Sequence, residues 1–209
     1  MDCNTHERTQ PEEKEINKKK QRWRRITYSI FVAIAILIYV LCQIRMEAAQ
    51  AFYESYYKTK IPASIELLEP IFVYAADTWG FRPDEYYDPR AVAVYRISDN
   101  TAFAIKNEGL NFLQGAQLWR EMPDWIGRRS WSGAGIYTYL PWKRSPVPEG
   151  WIGEGPWGFC FPDDSPSETG SWMKSAQKEG SFYTQAAARD GSLVIIPDLK
   201  VVIYCYVKF

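Results

Sequence analysis

The chain has 209 residues, 25 basic and 25 acidic side chains, and one histidine, His6. A hydrophobic fraction of 46% supplies material for one packed domain. With its only histidine near the N-terminus, the rest of the chain can form no Ser-His-Asp or Cys-His site and no histidine-ligated zinc. It also lacks a Walker loop, a dinucleotide glycine signature and a Cys-x-x-Cys pair.

Charge is unevenly spread. Residues 1–25 carry eight basic side chains against five acidic ones, whereas residues past Arg45 carry sixteen against twenty. A mildly acidic domain is poorly suited to displacing counterions from nucleic acid, so nucleic acid is not an expected partner. The basic end, polar and without apolar periodicity, reads as a disordered tail over 1–25.

Residues 26–44 read ITYSIFVAIAILIYVLCQI, without charge, proline or glycine. At about 1.5 Å per residue such a helix spans about 28 Å, close to the hydrocarbon thickness of a bilayer. Lys18, Lys19, Lys20, Arg22, Arg24 and Arg25 crowd its N-terminal edge, while only Arg45 flanks the other. The positive-inside rule then places the N-terminus in the cytoplasm. Ala49-Gln50-Ala51 has the form of a signal-peptidase site and Cys42 invites comparison with a lipoprotein cysteine. Arg45 and Glu47 separate the alanines from the apolar run, and bulky Leu41 precedes the cysteine, so an uncleaved signal anchor is the favoured reading.

Residues 45–60 continue as a helical stalk carrying Phe52, Tyr53, Tyr56 and Tyr57 at helical spacing, suited to core packing or to a dimer seam. Residues 61–209 form the extracytoplasmic domain. Pro62 fits a helix first turn, with Ile65, Leu68, Ile71, Phe72 and Ala75 as the apolar face and Pro70 limiting or kinking the helix. Ala91–Ile97 and Thr101–Lys106 read as a hairpin about Ser98-Asp99-Asn100. Leu110–Trp119 and Met173–Arg189 read weakly as helices. Ser192–Ile196 and Leu199–Val207 form a second hairpin about Pro197-Asp198, and VVIYCYV is apolar enough for a central strand buried on both faces. The expected fold class is α+β: one transmembrane helix, then a small domain with an antiparallel sheet, a few helices and long Trp/Gly/Pro-rich loops.

Those loops fall in residues 119–172, which hold seven of the nine tryptophans, eight glycines and seven prolines, with Ile136–Leu140 as the only strand-like run. Long loops in a compact domain are commonly functional, and tryptophan dominates binding hot spots. Trp131, Trp142, Arg144, Trp151, Glu154 and Trp157 are therefore the candidate binding residues. The competing use of these rings is core filling.

Cys160 and Cys205 are the two cysteines beyond the span, a disulfide pair if that side is oxidising and two buried thiols otherwise. The domain lacks an Asn-x-Ser/Thr sequon, which mildly favours a bacterial periplasm over a eukaryotic lumen. Together these features suggest a cell inner-membrane protein with a periplasmic domain that binds other envelope proteins, as a complex subunit or an inhibitor or immunity-like module. The alternative is a cell-wall or glycan-binding module with carboxylate-based hydrolysis by Glu149, Glu154, Asp163, Asp164, Asp84, Glu85 or Asp88. Neither reading calls for a cofactor, a metal or a catalytic residue that the sequence singles out.

Overall fold

The structure is a computed structural model that describes residues 9–75, 90–118, 120, 138–147, 161, 165–187 and 191–207. The chain divides into two units, Met1–Glu47 and Ala48–Phe209. The first belongs entirely to helix α1 where it is described, and α1 (Thr9–Thr59) runs for 51 residues. The sequence suggests disorder to residue 25, yet the helix already begins at Thr9. The reason is composition: Glu, Lys, Gln and Arg are strong helix formers, and Lys19 pairs with Glu15 one turn away at 3.5 Å. The missing apolar face argues against packing there, not against a helical backbone. Through residues 26–44 the side chains are exposed, unlike those of a soluble core helix. Among the described residues α1 is the one helix long and apolar enough to cross a membrane.

The second unit is built on a six-stranded sheet in the order β1-β2-β6-β5-β4-β3, antiparallel throughout. Its strands are β1 (Leu67–Ala75), β2 (Arg90–Ile97), β3 (Lys143–Arg144), β4 (Phe182–Gln185), β5 (Gly191–Ile196) and β6 (Val201–Val207). β6 is central, and the period-two alternation of a strand sends its residues to two cores. Val202 and Tyr204 face Tyr57, Ile61, Ile65, Ile105, Leu113 and Trp142. Val201, Ile203 and Cys205 face Trp172, Ala176, Tyr183 and Val147. Burial on both sides is why VVIYCYV is apolar at nearly every position. The β5–β6 hairpin lies where the sequence places it.

The other helices are short. Helix α2 (Asp99–Glu108) and helix α3 (Leu110–Gln114) lie against the first core, and helix α4 (Thr169–Ala176) lies against the second. Four segments differ from the sequence reading. The helix expected from Pro62 is instead strand β1. A proline inside a helix costs about 3 kcal/mol, whereas on this outermost strand Pro70 sits between two register shifts. Thr101–Lys106 is not a strand but the body of α2. Ser98 is extended and its hydroxyl accepts from the Thr101 N–H at 3.2 Å, so Ser-Asp-Asn opens a helix instead of turning a hairpin. Gly109, at φ 56°, closes it. Leu110–Trp119 is helical only to Gln114, and Met173–Arg189 divides into the end of α4 and strand β4. Of Ile136–Leu140, the described residues Thr138 and Tyr139 form isolated bridges to Leu118 and Ala186.

Among the described glycines, Gly191 leaves the least room for a side chain. A Cβ there would lie 3.0 Å from the Tyr204 hydroxyl and 3.1 Å from its ring, and Tyr204 is buried. Gly170, in the first turn of α4, has nothing within 4 Å of such a Cβ. Gly191→Ala is therefore expected to lower unfolding free energy by about 1–3 kcal/mol. Gly170→Ala is expected to leave it unchanged or raise it by a few tenths, up to about 1 kcal/mol. Denaturant titration of the detergent-solubilised chain checks the pair, and equal effects would contradict the packing described.

Candidate functional site

Among the described residues of the second unit, long-range side-chain hydrogen bonds gather where α1 ends. A helix leaves its last carbonyls without intrahelical donors, and an end packed into a domain must find replacements there. The Arg120 N–H donates to the Thr59 carbonyl at 3.1 Å. Its guanidinium donates from Nε to Ile61 O at 3.0 Å and from Nη2 to Pro62 O at 3.3 Å, and Nη2 also donates to Ile65 O. The Tyr139 hydroxyl donates to Lys60 O at 2.6 Å, and the Tyr95 hydroxyl to Glu54 O at 2.5 Å. Lys60 is itself buried, its ammonium 4.3 Å from the centre of the Tyr56 ring. The ring face and the negative end of the helix dipole both favour a cation there. Burial lowers the Arg120 guanidinium from its ordinary pKa while the Tyr95 phenol opposes that shift. With Nε and Nη2 turned to backbone carbonyls, Arg120 is a clamp on the chain, not a ligand-binding cation.

Phe52, Tyr53, Tyr56 and Tyr57 resolve in favour of core packing for the inner pair. Tyr57 is buried and stacks on Tyr53 at 6.1 Å, and its ring lies 5.7 Å from that of Tyr204. Burial and the neighbouring phenols push the Tyr57 pKa well above 10.0, and burial with the Glu54 charge does the same to Tyr95.

The candidate binding residues fare differently from one another. Trp142 is only 6% exposed, and its Nε1–H donates to Ala116 O at 2.8 Å, so it belongs to the core and offers no binding face. The reason is a polar one: a buried indole needs an acceptor, and the turn after α3 provides it. Arg144 is exposed on β3 at the sheet edge. Trp131, Trp151, Glu154 and Trp157 lie outside the described residues, as do Glu149, Asp163, Asp164, Asp84, Glu85 and Asp88. Trp172, the other described tryptophan of this unit, is buried as well. Cys205 is buried in the second core and Cys42 is free; Cys160, the expected disulfide partner of Cys205, lies outside the described residues. Among the described residues no three His, Cys, Asp or Glu side chains gather into a metal-binding group.

What the sequence reading missed is Phe103. It is 69% exposed in the middle of α2, the most exposed large apolar side chain among the described residues of this unit. TAFAIK reads as a strand, in which Phe103 is an ordinary β former, so its exposure is hidden in the sequence. Either side of it, Lys200 pairs with Asp99 at 2.7 Å and Lys106 with Asp198 at 2.8 Å, and Leu199 between those turn residues is also exposed. The Lys200 ammonium hydrogen-bonds the Asp99 carboxyl and holds it below the usual carboxylate range. No protein-family model matches the chain, and no curated protein or solved structure is significantly similar to it.

Two measurements test the α1 terminus. Arg120→Met keeps the apolar stem and removes the donors, and is expected to destabilise the domain by about 2 kcal/mol. Alkali should act through the tyrosines. Their folded pKa values lie above the unfolded value, so their contribution is complete below pH 10 and declines as pH rises past 10, where the unfolded chain ionises first. Unfolding midpoints should therefore hold steady through neutrality and fall above that pH, less steeply in Tyr57→Phe. An equal slope in the variant would remove Tyr57 as a cause.

Proposed function

We propose that the chain is a single-pass membrane protein of the cell inner membrane whose periplasmic domain is a protein-binding module, acting as a complex subunit or as an inhibitor or immunity-like protein. The apolar, exposed middle of α1 supports the anchor, and the basic residues before it support a cytoplasmic N-terminus. Cys160 and Cys205, the two cysteines beyond the span, fit a disulfide pair in an oxidising compartment.

The binding reading is carried by Phe103. A domain that buries both described tryptophans yet holds a phenylalanine in solvent, beside Leu199 and between two ion pairs, has the layout of an apolar contact with a polar rim. Glycan recognition would need exposed rings of the kind Trp142 does not supply, so protein contact is the reading that a described side chain supports.

A photoreactive phenylalanine analogue at position 103 of the full chain, irradiated in intact membranes, is expected to give a covalent adduct with protein. An inserted, folded chain that gives none would end the proposal. In spheroplasts a membrane-impermeant thiol reagent should label a cysteine at the exposed Glu179 position (Glu179→Cys) and spare Cys3; the reverse pattern would invert the topology.

A further inference from the structure

We infer that the partner of the Phe103 surface is a second copy of this chain, docked by antiparallel pairing of two α2 helices; the inference rests on the protein-binding reading and names its partner. Asp99, Phe103 and Lys106 follow one another at i, i+4 and i+7, so they share one stripe of α2 over about 10 Å. The other face of α2 is occupied: Thr101, Ala102 and Ile105 are buried against the first core. The outward stripe is thus presented on a packed support.

The charge pattern of that surface complements itself. At the N-terminal end of α2, negative Asp99 stands beside positive Lys200, and at the C-terminal end positive Lys106 stands beside negative Asp198. A two-fold axis perpendicular to α2 at Phe103 sets Asp99 against the partner's Lys106 and Lys200 against the partner's Asp198. The same operation repeats each contact in reverse, the isologous arrangement of a symmetric dimer. Phe103 then meets the partner's Phe103 at the centre with Leu199 beside it, inside a ring of four charges from each copy. The two α2 dipoles run antiparallel. Few other partners would present the same alternation of signs at the same spacing.

One pair of short helices buries less area than a free-standing dimer needs. Two copies anchored in one membrane are confined to a plane, which raises their effective concentration and lowers the affinity required. The contact fits a membrane-bound chain for that reason.

The test uses two differently tagged full-length copies in one membrane. Phe103→Cys is expected to give a disulfide-linked dimer on mild oxidation, while Glu179→Cys, on the turn after α4, gives none. Lys106→Glu in both copies, or Asp99→Lys in both, is expected to lower co-purification about tenfold. Lys106→Glu in one copy with Asp99→Lys in the other restores opposite charges across the axis and should recover it. All four charges are solvent-exposed to a large degree, so unchanged thermal midpoints serve as the folding control. Failure of the mixed pair to recover association, with both variants folded, would overturn antiparallel self-pairing. A photo-adduct at position 103 with a different protein and no linked dimer would overturn the second copy as partner while leaving the binding module standing.

Discussion

The carbonyl groups at the end of α1 set the terms for the second unit. They close a helix whose last turn packs against the domain, with Tyr57 and Thr59 buried, where water is a poor donor and protein groups take its place. Lys60 N–H, Ile61 N–H and the Thr59 hydroxyl serve Tyr57, Lys58 and Tyr56 locally, and further donors come from far along the chain: Tyr95 in β2, Arg120 after α3 and Tyr139 beyond it. Each of these long-range bonds ties a distant segment to the same few residues. Arg120 fixes Ile61, Pro62 and Ile65, and the next residue, Glu66, accepts from the Ser98 N–H at 3.1 Å and donates to the Thr101 hydroxyl at 3.2 Å. The end of the helix, the start of β1 and the cap of α2 are one connected network. This explains how an irregular edge strand broken at Pro70 keeps its place beside β2.

The same network explains the tyrosines. A sheet covered on both faces needs large apolar area, and leucine would supply it at Tyr57, Tyr95 and Tyr204. Leucine supplies no donor, and at Tyr95 the ring fills the core while its hydroxyl reaches a helix carbonyl. The arrangement has a cost at high pH, because a phenol that must stay neutral to remain buried opposes its own ionisation. Phe182 faces the same core on β4 and packs there as a plain hydrophobe. The hydroxyl is thus used at Tyr95, where a helix carbonyl is within reach, and Phe182 packs without one.

How far this was legible in the sequence depends on what each signal measured. The apolar span, the β5–β6 hairpin and the central position of VVIYCYV could be read because uninterrupted hydrophobicity reports burial on all sides. β1 could not, since LLEPIFVYA holds apolar residues at both spacings and only its place at the sheet edge, a tertiary fact, decides between them. Ser98-Asp99-Asn100 serves equally as a turn or as a helix start, and the decision lies in the Ser98 hydroxyl meeting the Thr101 N–H. For the candidate surface, tryptophan content drew attention to 119–172, yet Trp142 and Trp172 were needed inside. Aromatic richness reports contact area and is silent on whether the contact is internal. Phe103 was hidden by the misassigned strand, because exposure on a helix stripe can be asked about only once the helix is known.

Lys200 carries the argument about that surface one step further. Its φ of 53° is the left-handed conformation that glycine adopts freely and an L residue adopts at a cost of about 1 kcal/mol. The backbone requires it: Lys200 N–H donates to Pro197 O at 3.2 Å and Lys200 O accepts from the Ile97 N–H at 2.9 Å, joining the turn to β2 beside the β2–β6 register. Glycine would satisfy both bonds without strain. What lysine adds is the ammonium held on Asp99, and an exposed ion pair contributes too little stability to offset the backbone conformation by itself. Folding alone therefore gives no reason for a lysine at this point of the turn. Its charge completes the fourth corner of the alternating pattern around Phe103, and a surface that must match its own two-fold image loses that match if any one corner is neutral.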